Sequence, residues 1–161
     1  MDIAVAVIAA VVLLFAFVIA FGAPYLPTLE PQIKAGLDLA DLKPGQTLIE
    51  LGSGDGRVLI AAAKRGWNAI GYELNPLLAA YSWLRVRKYR KQVRIVWGNF
   101  WRQPLPPAEA IFVFLLDRYM DKLDEKIQKE SPKPVKLISF AFQVPGRKAA
   151  KQNKGLFLYQ Y

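Results

Sequence analysis

The chain opens with an unbroken apolar block and continues as short apolar runs between amphipathic and glycine- or proline-punctuated stretches. Ile3 to Phe21 reads IAVAVIAAVVLLFAFVIAF, nineteen residues without a polar side chain. At about 1.5 Å per residue a helix of that length spans roughly 28 Å, close to the hydrocarbon thickness of a bilayer. Inside a globular domain such a helix would need protein on every side. A secretory signal peptide would begin with a basic segment, whereas only Asp2 and the terminal amine precede the run. Phe21-Gly22-Ala23 also lacks a small-x-small cleavage pattern, and Pro24 follows at once. The pattern predicts an uncleaved transmembrane anchor over residues 1–23 and one domain over residues 24–161.

Beyond the stiff connector Pro24-Tyr25-Leu26-Pro27, Thr28 is the expected N-cap of a helix to about Leu42, with Leu29, Ile33, Leu37 and Ala40 on one face. After the Pro44-Gly45 turn, Thr47–Leu51 reads as a strand, and Val58–Arg65, ended by Gly66, as a helix. The alternation repeats: a strand over Asn68–Tyr72, a helix from Pro76 to about Lys91, and a third strand over Val93–Trp97. The proline-rich stretch from Gly98 to Glu109 cannot be a proper helix. A fourth strand is expected over Ile111–Leu115, a helix from Asp117 to about Lys129, a fifth strand over Val135–Phe142 and a last one over Gly155–Tyr161. Gln143–Lys154 is too polar and broken for the helix usual before a final strand. The fold class is α/β, a Rossmann-like mostly parallel sheet with flanking helices, which places ligands at the carboxyl ends of the strands.

Charge divides the chain. All 22 Lys and Arg lie at or beyond Lys34, against 13 Asp and Glu, so the domain carries the basic bias and is expected to stay on the cytoplasmic side of a cell inner membrane. Anionic headgroups are its natural electrostatic partner. The run Arg85, Arg87, Lys88, Arg90, Lys91 and Arg94 is read as a solvated or membrane-facing surface; without an aromatic-interleaved module it does not call for nucleic acid. The chain has no Cys and no His, which removes thiolate nucleophiles, imidazole bases and Cys- or His-ligated metals. No metal site is expected. The remaining chemistry belongs to carboxylates, hydroxyls, amines, backbone dipoles or a borrowed cofactor.

Glu50-Leu51-Gly52-Ser53-Gly54-Asp55-Gly56 closes the first strand and opens the next helix. Glycines there allow a tight turn and close approach of a ligand to free N–H groups. Arg57 stands where a dinucleotide fingerprint would need its third glycine, and no Gly-Lys-Ser/Thr follows to make a P-loop. The acid followed by G-x-G-x-G resembles the first motif of the class I S-adenosylmethionine-dependent methyltransferases. That resemblance makes S-adenosyl-L-methionine the expected cofactor. It implies that Gly52, Ser53, Gly54 and Gly56 form the cofactor turn, that Glu73, with Leu74 beside it, takes the ribose hydroxyls, and that Asn99 and Phe100 meet the adenine.

A narrower resemblance covers nearly the whole chain. Tyr25-Leu26-Pro27-Thr28, the glycine motif through Arg57, Gly71–Pro76, Phe114–Met120 and Ala141–Gly146 are similar to the small membrane-anchored protein-lysine methyltransferases. In mitochondria these act on the adenine nucleotide carrier and the c-ring protein of the ATP synthase, and they have prokaryotic relatives. It implies a membrane-protein substrate. Where many relatives have Pro-Glu, this chain has Asp117-Arg118, a departure that bears on substrate contacts. Methyl transfer from a sulfonium needs in-line approach of a neutral amine more than strong acid–base catalysis. Asp117 and Tyr119 are the candidate proton acceptors, with Asp117 read first as the N-cap of the following helix. Thr28 and Tyr25 are candidates to close over the cofactor. Glu50 either orients the glycine turn or meets the methionine amino group.

Overall fold

The computed structural model describes residues 2–21, 26–132 and 134–161. Tyr25 lies outside the described residues. Seven strands form one sheet in the order β3-β2-β1-β4-β5-β7-β6. Five run parallel: β1 (Thr47–Leu51), β2 (Asn68–Glu73), β3 (Val93–Trp97), β4 (Ala110–Val113) and β5 (Lys136–Phe140). β7 (Leu156–Gln160) pairs antiparallel with β5, and β6 (Lys151–Asn153) antiparallel with β7. The strand order reverses beside β1, which opens a crevice at the carboxyl ends of β1 and β4.

Alternation along the strands builds two cores. Leu48, Phe112, Ile138 and Leu158 face one way, against α2 (Glu30–Ala40) and α3 (Arg57–Lys64) through Ile33, Leu37, Val58, Leu59 and Ala62. Their neighbours Ile49, Ile111, Leu137 and Tyr159 face the other way, against Met120, Leu123 and Ile127 of α5 (Met120–Glu130). A sheet buried on both faces explains why its central strands read as continuous apolar runs. α4 (Pro76–Val86) packs beside β3 and β2. Its N-cap Asn75 accepts hydrogen bonds from the N–H groups of Leu77 (2.9 Å) and Leu78 (3.3 Å), which explains the helix start at Asn75-Pro76.

Several boundaries differ from the sequence expectation. Thr28 does not cap α2: Leu29 is at the N-cap and makes no side-chain cap bond. The proline in the first turn lowers the number of N–H groups needing a partner. α4 ends at Val86, its last buried residue, and Arg87–Tyr89 continue as a 3₁₀ turn rather than α-helix to Lys91. Asp117–Tyr119 also form a 3₁₀ turn, so Asp117 is not the cap of α5. β5 stops at Phe140 because Ala141 turns to φ 70°, and β4 stops at Val113. β6 was not expected. Its residues Lys-Gln-Asn are all exposed and carry no alternation, and its hairpin turn relies on Lys154 and Gly155, both with positive φ.

Helical backbone covers Ile3–Phe21 as α1. Ile3, Val5, Val7, Ile8, Val11, Val12 and Leu13 are exposed. Side chains at positions 14, 15 and 17–21 are not described, and among the described residues no helix is long and apolar enough to cross a membrane.

Candidate active site

A cleft opens at the carboxyl ends of β1, β2 and β4. The β1–α3 turn forms its floor, with walls from Leu26–Thr28, Glu73, Leu74, Leu78, Asn99–Trp101, Phe114–Leu116, Tyr119 and Phe142. The turn is fixed by the neighbouring strand. The N–H groups of Gly52 and Ser53 both donate to the Tyr72 carbonyl at 2.9 Å, and the Gly54 N–H donates to Glu73 Oε2 at 2.7 Å. Glu73 Oε1 accepts from the Asn75 N–H at 2.8 Å. One buried carboxylate thus ties the β1–α3 turn to the start of α4. Burial raises the Glu73 pKa above the ordinary range, while N–H donation from Asn75, Gly54 and Leu74 pulls against that rise.

Two glycines have distinct duties. A Cβ on Gly71 of β2 would lie 2.4 Å from Leu59 Cδ1 and 2.7 Å from Ser53 Cβ, so the bare backbone lets the turn sit directly on the strand. Gly56 has φ 76° and would meet Ser82 Oγ at 2.3 Å; it serves the contact between α3 and α4 and does not line the cleft. Gly52, Ser53 and Gly54 do line it. At Gly52 the Cβ position faces open space, so a ligand can come up to the backbone.

Glu50 is buried at the end of β1 and its Oε2 has no hydrogen-bond partner in the protein; Ser53 Oγ is likewise unpartnered. Desolvation raises the Glu50 pKa well above the ordinary carboxylate range. The Asp55 and Glu73 charges add to the rise, and Arg57 opposes it. An acid in this condition is suited to a cationic group brought into the cleft. Asp55 behaves in the opposite way. Burial alone would raise its pKa, but the Arg57 hydrogen bonds and the Arg57 and Arg85 charges outweigh burial and hold it below the usual range. Arg57 makes a fork on Asp55, Nε to Oδ1 at 2.9 Å and Nη2 to Oδ2 at 2.9 Å, and its Nη1 donates to the Thr28 carbonyl at 3.2 Å. Arg85 donates to both the Asp55 side chain and its carbonyl.

The remaining expected residues divide. Thr28 is buried and lines the cleft, as do Leu74, Asn99, Phe100 and Tyr119. Asn99 Oδ1 accepts from the Trp101 N–H at 3.0 Å and so shapes the turn that presents Phe100 and Trp101, whose ring centroids are 4.5 Å apart. Tyr119 extends this wall, 6.1 Å from Trp101. Asp117 is exposed and is not brought to the cleft. The Asp55–Arg57–Arg85 network and the wall residues Leu78, Phe114 and Phe142 were not foreseen. Asp55-x-Arg57 was a local signal for part of it. Arg85, thirty residues away in the basic run, gave none.

The antiparallel β7 beside β5, the strand reversal at β1 and an acid–glycine turn facing a second acid at the end of β2 define a protein of the class I methyltransferase type. The chain belongs to the family of the ANTKMT methyltransferase domain, whose model matches residues 50–151. It is 35% identical over 126 residues to the Xenopus laevis lysine N-methyltransferase of the ATP synthase c-ring protein, covering 76% of this chain and 54% of that protein. It is 30% identical over 127 residues to a protein-lysine N-methyltransferase of Saccharolobus islandicus, covering 76% of this chain and 79% of that one. The chain thus spans about half the length of the animal relative and most of the archaeal one. Among solved structures, an RNA methyltransferase from Salinibacter ruber in complex with S-adenosyl-L-homocysteine superposes with a TM-score of 0.77. It is 24% identical and covers 84% of this chain and 92% of that one, a likeness of fold.

Proposed function

We propose that the chain is an S-adenosyl-L-methionine-dependent methyltransferase that modifies the side-chain amine of a lysine in a membrane-associated protein. In this reading α1 holds the domain at the cytoplasmic face of the inner membrane. The observation that carries it is the convergence of Glu50, the Gly52–Gly54 turn, Glu73 and Asn99 on one cleft, in a family whose relatives include named lysine methyltransferases. The nineteen-residue apolar run Ile3–Phe21 of the sequence is the support for the anchor.

The cleft suits the cofactor. Gly52 leaves room against the backbone, and buried Glu50 Oε2 and Ser53 Oγ await partners. Each Glu73 oxygen accepts one backbone N–H and keeps lone-pair capacity for a ribose hydroxyl. Glu50 would take the methionine ammonium, Asn99 and Phe100 the adenine side. When bound, the cofactor supplies a methyl group already activated on a sulfonium. The chain's own task is then to deliver a neutral amine. The aromatic wall of Phe100, Trp101 and Tyr119 lines the approach of an entering lysine, whose ammonium gives its proton to solvent before the amine attacks. The Tyr119 hydroxyl is the hydrogen-bond acceptor among these three side chains, able to accept from that amine and orient its lone pair.

Incubating membranes from a deletion strain with the purified full-length chain and tritiated cofactor tests the reaction. Label is expected in methylated lysine of a membrane protein. Label confined to lipid or small amines would overturn the lysine assignment. Calorimetric titration of the full chain in detergent tests the site itself: binding is expected for the wild type and lost in Glu73→Ala, and a wild type that binds nothing refutes the enzyme reading.

A further inference from the structure

Outside α1, the exposed large hydrophobic residues among those described fall in two places. Leu26 lines the cleft and Leu29 stands at the N-cap of α2, while Leu77, Tyr81, Trp83, Leu84 and Trp97 lie on α4 and the end of β3. Leu77, Tyr81 and Leu84 follow one another at i, i+4 and i+7 on α4, with Ala80 and Trp83 in the adjacent row. Trp97 ends β3, the sheet's edge strand, and its indole N–H reaches back to the Leu74 carbonyl at 3.2 Å, so it abuts the start of the same helix. Single exposed apolar residues need no explanation; a contiguous set with two tryptophans and a tyrosine does.

Charge gives the occupant. Between Glu73 and Glu109 there is no acidic residue, and Arg87, Lys88, Arg90, Lys91 and Arg94 are all exposed. None of these five forms an ion pair with another described residue. Each apolar row of α4 therefore runs from the cleft end toward a block of free cations. Aromatic rings that seat at headgroup level beside cations that meet anionic phosphates are the chemistry of an interfacial bilayer contact. Leu74 and Leu78 beside this face line the cleft, and so does Leu26, just beyond the anchor.

We propose that the outer face of α4 and the edge of β3 form a second membrane contact, which lies on an anionic bilayer and holds the cleft mouth at the lipid surface. This rests on the membrane-held reading above and names the surface that completes it. α1 tethers the domain; the α4 face sets its orientation, so that a lysine near the headgroups meets the cleft without a separate recognition module.

Tryptophan quenching reads this directly, because α1 contains no Trp, Trp67 is buried, and Trp101, half-buried in the cleft wall, is a background common to every variant. The full-length chain is reconstituted in phosphatidylcholine vesicles with or without phosphatidylglycerol, each carrying a lipid with a quencher near the headgroup. Quenching is expected to be several-fold greater in the anionic vesicles and to fall in Trp83→Phe/Trp97→Phe to the Trp101 background, the lost part being the signal of the α4 and β3 face. It should also fall in Arg87→Glu/Lys88→Glu/Arg90→Glu/Lys91→Glu, and when salt is raised from about 0.1 M to about 1 M, which shortens the Debye length from about 10 Å to about 3 Å. Equal quenching in neutral and anionic vesicles, or quenching unchanged by charge reversal, overturns the proposal. So do cross-links between two copies through Trp83, or a gel shift of an RNA hairpin that needs the same cations while the vesicles give no quenching. Cofactor titration on the same preparations is expected to be unchanged in the charge variant. Its failure in the wild type would count against the enzymatic function and leave the quenching result to judge this face.

Discussion

Glu50→Gln should make the cofactor-free protein more stable as pH rises while weakening the cofactor site. In the folded chain Glu50 keeps its proton well above the ordinary carboxylate value of 4.5, because it is desolvated beside Asp55 and Glu73. The unfolded chain releases that proton near 4.5. Between the two values the folded state binds the extra proton, so stability falls as pH rises through this window and the full penalty is present above the folded value. The steepest slope for one proton is about 1.4 kcal/mol per pH unit. For a chain of this size about 1 kcal/mol moves the melting temperature by roughly 2–4 °C, giving about 3–6 °C per unit. Glutamine keeps the shape and never ionises. Glu73, also raised, and Asp55, which is lowered, remain in both proteins and cancel to first order. Circular-dichroism melts of the full chain in nonionic detergent should superimpose near pH 4.5 and separate toward pH 8, with the glutamine variant higher. The same variant should bind cofactor at least about tenfold more weakly, a loss of about 1.4 kcal/mol. A melting difference that stays flat with pH, or a variant less stable throughout, would refute the buried-acid account.

Gly71→Ala forces a methyl group against Ser53 Cβ, which is bound directly to the turn backbone and cannot swing away. The expected cost is about 1–3 kcal/mol in urea unfolding, with weakened cofactor binding, and Ser53→Gly in the same chain should restore part of both. Tyr159→Phe removes the acceptor of the buried Val144 N–H, now bonded at 3.0 Å, and should cost about 1–3 kcal/mol in the same measurement without changing cofactor affinity. Asp55→Asn breaks the pairs with Arg57 and Arg85. Because both guanidiniums are about a third exposed, the expected loss is about 1–2 kcal/mol at neutral pH. That deficit should shrink in acid: the Asp55 contribution is present above its ordinary value of 3.8 and is lost as pH falls through its depressed folded value.

Strands were legible as short apolar, β-branched runs between turn residues: Thr47–Leu51, buried at the sheet's centre, and the edge strand Val93–Trp97, only partly buried and interrupted by Arg94, are both found where the sequence placed them. The acid–glycine turn was legible because few residue types tolerate its backbone. What the sequence concealed depended on distant partners. Nothing local says that Arg85, one cation in a basic run, folds back on Asp55, whereas Thr28, readable either as a cap or as a cleft residue, is found in the wall. Asp117 reads as a cap or a base and turns out exposed at a 3₁₀ turn, because the packing of Met120 decides where α5 begins. β6 gave no periodic signal, since a strand exposed on both faces needs none.

That last strand bears on solubility. A sheet that does not close into a barrel leaves two rows of unpaired backbone groups, each able to template the strand of another molecule. The β6 margin is three residues long, begins with Lys151 and is followed at once by the Lys154-Gly155 turn. A row so short, with a cation at its head and another at its turn, offers an incoming strand little to pair with and repels a copy of itself. Proteins crowded on a surface collide edge to edge far more often than in bulk. A polar hairpin that contributes nothing to the cleft would then guard this edge of the sheet against pairing with a neighbouring copy.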